Sequence, residues 1–98
     1  MLDNIQVAIL TKVNQLAERS GIKPYHFVAV VKTNADTSIS LKFEIPASGS
    51  EDRRLKFNKM LDLIGLDQNT HELKGTDAEI IDALDAATRL APRRHSPS

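Results

Sequence analysis

The chain has 98 residues, enough for one modest core and too few for two. Lysine plus arginine and aspartate plus glutamate both number 13, so formal net charge is zero and no global field draws in nucleic acid or an anionic membrane. The absence of cysteine excludes disulfides, thiolate metal sites and cysteine nucleophiles. Hydrophobic residues make up 41% but aromatic ones only 4%, namely Tyr25, Phe27, Phe43 and Phe57, so the core is expected to be aliphatic. The N-terminal stretch MLDNIQVAIL lacks a basic region ahead of a long apolar run, and no stretch is long and apolar enough to span a bilayer. The expected setting is cytoplasmic, with no membrane partner.

In chain order, Leu2, Ile5, Ile9, Val13 and Leu16 recur at spacings of three and four, which predicts an amphipathic helix over 2–19. Val7 falls off the apolar stripe, and Gly21 suits the residue just past the helix end. Residues 25–33 are rich in β-branched and aromatic types. Residues 38–45 alternate, with Ile39, Leu41, Phe43 and Ile45 on one face and Ser38, Ser40, Lys42 and Glu44 on the other. Asn34-Ala35-Asp36-Thr37 between them has turn chemistry, so the two runs predict an antiparallel hairpin ended by Pro46.

A second helix is expected over 48–64, capped by Ser48 with Glu51 or by Ser50. It carries Phe57, Met60, Leu61 and Ile64 inward and stops at Gly65. Residues 66–75 form a connection in which THELK is a candidate third strand. Thr76 and Glu79 make a capping box for a third helix to about Leu90, with Ile80, Ile81, Leu84, Ala87 and Ala91 inward and Asp85 spaced to pair with Arg89. The tail over 92–98, PRRHSPS, is polar, basic and proline-containing, a composition that predicts disorder. The fold class expected is α+β: one small α-β-β-α-(β)-α domain over 1–91, with helices packed on one face of a short antiparallel sheet.

His26, His71 and His95 show no spacing that places two imidazoles on one helix face. The run from Asp67 to Glu72 begins like a calcium loop, but Glu72 stands where glycine is needed and Ala78 where the bidentate glutamate is needed. The four glycines are isolated, so no phosphate-cradling loop is present, and Gly49-Ser50 leads into a helix start rather than a nucleophile elbow. No convergent acid–base set emerges, so no enzyme activity, metal or cofactor is expected.

Two features point to partners. Arg53, Arg54, Lys56 and Lys59 on the second helix form a candidate anion or nucleic-acid patch, interleaved with Asp52 and Asp62. The stretch over 16–31, LAERSGIKPYHFVAVV, with Ala17, Gly21, Ile22, Phe27 and Val30, resembles a helix-turn-helix, which implies a recognition helix beginning near Pro24. It departs from that pattern in Val28, Val30 and Val31, which are strand formers with no base-reading groups.

If 25–33 is a strand, Phe27, Ala29 and Val31 share one face, and Val28 and Val30 stand on the other without a partner. Leu55 likewise points away from Phe57 and Ile64. Val28, Val30 and Leu55 are therefore the candidate partner surface. The expected function is a non-catalytic protein-interaction module that self-associates, most simply as a twofold homodimer; the alternative is nucleic-acid binding through 16–31 or the basic helix over 53–59.

Overall fold

A computed structural model describes residues 4–44, 50–67 and 69–91. The order is α1 (Asn4–Arg19), a 3-10 turn (Pro24–His26), β1 (Val28–Thr33), β2 (Ile39–Glu44), α2 (Glu51–Ile64), β3 (Glu72–Gly75) and α3 (Asp77–Leu90). The expectations for Leu2, Ile45, Pro46, Ser48 and the tail over 92–98 lie outside the described residues.

The sheet is antiparallel in the order β1-β2-β3, so among the described residues β1 and β3 are its edges. The hairpin closes through a three-residue loop. Thr37 N–H donates to the Asn34 carbonyl at 3.0 Å, Asn34 N–H donates to the Ser38 carbonyl at 2.8 Å, and Thr37 takes φ 68°. This is a type I turn followed by a left-handed residue, a geometry whose twist suits a hairpin.

Alternation along β2 sends Ile39, Leu41 and Phe43 into the core. Ala29, Val31 and Leu73 join them from the neighbouring strands, half-buried. All three helices lie on this side, with α3 packed on α1, α2, β2 and β3. Ile9, Val13, Leu16 and Ala17 enter from α1, Phe57, Met60, Leu61 and Ile64 from α2, and Ile80, Leu84 and Ala87 from α3. Three of the four aromatic rings meet at the centre, Phe27, Phe43 and Phe57, with centroids 6.0 to 6.4 Å apart. The core is aliphatic around this aromatic hub.

The caps are local. Ser50 accepts from Arg53 N–H at 3.1 Å and caps α2. Thr76 and Glu79 form the reciprocal box at α3, with bonds of 3.1 and 2.8 Å. Gly65 closes α2 at φ 84°, where a side chain is disfavoured.

The structure corrects the sequence reading in three places. No recognition helix follows Gly21: the helix-turn-helix likeness ends in one 3-10 turn and a strand, because Val28, Val30 and Val31 fit a pleated surface better than a helix. Ser40, expected on the solvent face, is buried at 6% exposure, since Asn34 Nδ2 donates to its hydroxyl at 2.9 Å and covers it. Asp85 forms its ion pair with Lys12 of α1, at 2.7 Å.

Candidate functional site

The face of the sheet away from the helices bears Val28, Val30 and Lys32 on β1, Glu44, Lys42 and Ser40 opposite them on β2, and Glu72 and Lys74 on β3. Pairing places these side chains in rows: Val28 beside Glu44, Val30 beside Lys42 and then Glu72, Lys32 beside Ser40 and then Lys74. Most of the face is thus the polar exterior usual for an antiparallel sheet. The exceptions are the two valines, side by side on the edge strand, 51% and 47% exposed.

The edge itself follows from one hydrogen bond. Phe43 N–H donates to the His71 carbonyl at 3.0 Å, so the backbone of Phe43 points toward β3. Successive residues alternate in direction. Glu44, Lys42 and Ser40 therefore bond toward β1, engaging Val28, Val30 and Lys32, which leaves the backbone groups of Ala29 and Val31 directed to the open edge. Gln6 of α1 reaches this edge, its Nε2 donating to the Val31 carbonyl at 3.4 Å.

Leu55 does not join this surface. It is 62% exposed on α2, about 200° around the helix from Phe57, whose ring meets Phe43 on the covered side of the sheet. Leu55 points outward from the helical layer, and the valines point outward from the sheet.

The four basic residues of α2 are also divided. Arg53 and Lys56 lie on the flank near the end of α1: the Lys56 side chain runs 3.7 Å from where a Cβ on Gly21 would sit, and Lys56 Nζ pairs with Asp52 at 3.2 Å. Arg54 is exposed about 160° around the helix from Lys56. Lys59 is exposed one turn beyond Lys56.

His26 sits beside this cluster. Desolvation, then the charge of Arg53, then that of Lys23, hold its pKa below the usual 6.5, so the ring is neutral near pH 7. Among the described residues, Arg19 Nε, Ser20 Oγ and His26 Nδ1 are buried without a hydrogen-bond partner. The grouping of Lys23 and His26 with Arg53 was not legible in the sequence; only the shared proximity of the 3-10 turn to α1 and α2 creates it.

A shallow depression of about 240 Å³ lies between α2 and the loop before β3, lined by Asn58, Leu61, Asp62, Leu66, Asp67 and His71. Its chemistry is largely spent on the loop: Asp67 Oδ1 accepts from Asn69 and Thr70 N–H at 2.8 and 3.1 Å, the Asp67 carbonyl accepts from His71 N–H at 2.8 Å, and His71 takes φ 56°. Among the described residues, no group of three or more His, Asp or Glu side chains is placed to hold a metal ion. No described helix is long and apolar enough to cross a membrane. In comparisons with family models, curated proteins and solved structures, nothing matches this chain.

Proposed function

We propose that the protein is a non-catalytic interaction module that engages protein partners, its own copies included, through β1. The observation that carries this reading is the pair Val28 and Val30, about half exposed on an edge strand whose neighbours on the same face are charged. An edge strand offers backbone donors and acceptors as well as side chains, a combination that binds extended segments by strand addition. Val28→Lys and Val30→Lys test it. Each variant should keep the fold within about 0.5 kcal/mol, as for surface substitutions generally, and should weaken association seen by sedimentation. Unfolding of both variants would make the valines core residues and sink the reading.

A second reading, anion or nucleic-acid binding at the α2 flank, rests on the convergence of Lys23, Arg53 and Lys56 near the 3-10 turn. Against it, Lys56 is already paired with Asp52 and Arg54 faces elsewhere. Binding of this kind falls steeply with salt, because each neutralised phosphate releases counterions. Absence of duplex binding at low salt in a titration with labelled DNA would remove it.

A further inference from the structure

We infer that the occupant of the β1 edge is a second copy of β1, paired antiparallel about a twofold axis at Val30, so that two three-stranded sheets join into one. The inference rests on the interaction-module reading and specifies its partner. It follows from the direction of the backbone and the placement of charge on the outer face.

Ala29 and Val31 direct their backbone groups to the open edge. An antiparallel register that sets Ala29 against the second copy's Val31, and Val31 against the second copy's Ala29, uses both residues in hydrogen-bonded pairs. Val30 then faces the second copy's Val30, and Val28 faces the second copy's Lys32. The four valines of the two strands become contiguous on the outer face.

Charge selects this register. Val28 is already flanked by Glu44, so the row reads Glu44, Val28, then the second copy's Lys32. Two strand spacings, about 10 Å, separate the glutamate from that lysine, within reach of the two side chains across the valine. The next row reads Glu72, Lys42, Val30, the second copy's Val30, its Lys42 and its Glu72, so no like charges are adjacent. Shifting the register by two residues sets Lys32 against the second copy's Val30, with Lys42 next in that row, or against the second copy's His26, and either way Glu44 loses its lysine.

Gln6 opposes the pairing. Its bond to the Val31 carbonyl must break before a second strand can dock, so α1 carries a guard on the edge. The joined edge adds few side chains to the buried area, which places the dimer in the weak class below about 1,200 Å² of total interface. Association is therefore expected at high micromolar concentration, and shortening Gln6 should strengthen it.

Amide hydrogen exchange of the full chain as a function of concentration, beside sedimentation, tests this. Exchange at Ala29 and Val31 should slow several-fold from low to high concentration, while Val30, already bonded within the hairpin, stays unchanged. Gln6→Ala should shift the monomer–dimer midpoint to lower concentration and Val30→Lys to higher. Lys32→Glu and Glu44→Lys should each weaken the dimer, and the double variant should restore it.

A dimer in which Ala29 and Val31 exchange equally fast at every concentration forms elsewhere and overturns the proposal. A strict monomer at high micromolar concentration, with Val28→Lys and Val30→Lys folded, also overturns it, yet leaves the valines open to a different protein. Unfolding of both lysine variants removes the interaction-module reading itself. Should Gln6→Ala fail to fold, the exchange profile of the unmodified protein decides alone.

Discussion

Lys12 Nζ donates to Asp85 Oδ1 at 2.7 Å, tying the middle of α1 to α3 across 73 positions of sequence. Both side chains retain about a third of their exposure, so water screens the pair. A double-mutant cycle with Lys12→Met and Asp85→Ala, read by urea denaturation, should give a coupling of about 0.5 kcal/mol, within the range of exposed pairs. A coupling above about 2 kcal/mol would mean the pair behaves as buried.

The start of α3 concentrates two constraints on one carboxylate. Glu79 Oε1 accepts from Thr76 N–H, and a Cβ on Gly75 would meet that same oxygen at 2.8 Å. Thr76→Ala should cost about 1 kcal/mol as a lost cap. Gly75→Ala should also destabilise, by displacing the Glu79 side chain. Because Gly75→Ala and Glu79→Ala break the same bond, their effects in thermal melts should be less than additive.

Thr37 occupies the left-handed region at φ 68° with a β-branched side chain. That conformation costs a non-glycine residue about 1–2 kcal/mol, and glycine returns part of the gain through its larger unfolded-state entropy. Thr37→Gly should stabilise by about 0.5–1 kcal/mol, and Thr37→Asn by a similar or smaller amount, as shifts of the urea midpoint. Destabilisation by both would mean that the Thr37 side chain carries an interaction that offsets its strain.

His26 links stability to pH. Its folded pKa is depressed below 6.5, first by desolvation and then by Arg53 and Lys23. The folded protein therefore binds fewer protons there than the unfolded chain. The stabilising contribution is full above pH 6.5 and is lost as pH falls through the folded pKa. His26→Gln should flatten this slope. Arg53→Ala should raise the His26 pKa only part of the way back, since desolvation is the larger cause, and ring-proton NMR titration would read both changes.

Asp36 runs in the acid range. Its Oδ1 accepts from the Ser38 hydroxyl at 2.6 Å and from Ser38 N–H at 3.1 Å, and these bonds hold its pKa below the usual carboxylate value. The hairpin should therefore loosen as pH falls through the Asp36 pKa. Ser38→Ala should bring that pKa back toward 3.8 in a carbon-detected titration.

The elements themselves were legible because they depend on short-range chemistry. Ile39, Leu41 and Phe43 alternate within one strand, Phe57, Met60, Leu61 and Ile64 recur within one helix, and Thr76 with Glu79 closes a cap over four residues. THELK stood only as a candidate third strand, and the structure supplies that strand as Glu72–Gly75. The likeness of 16–31 to a helix-turn-helix failed at Val28, where the β-branched run carried more weight than the glycine before it.

The sequence by itself determined the order of the three helices and the hairpin, the inward faces of the helices, and, given a strand at β1, the outward placement of Val28 and Val30. Tertiary structure alone decided that β1 is an edge, that Gln6 reaches its backbone, that Leu55 and the valines point to opposite sides, and that Asp85 meets Lys12. The reason is physical: periodicity and capping are settled by neighbours a few residues away, whereas edges, opposed faces and cross-helix pairs exist only once distant segments have closed on a common core.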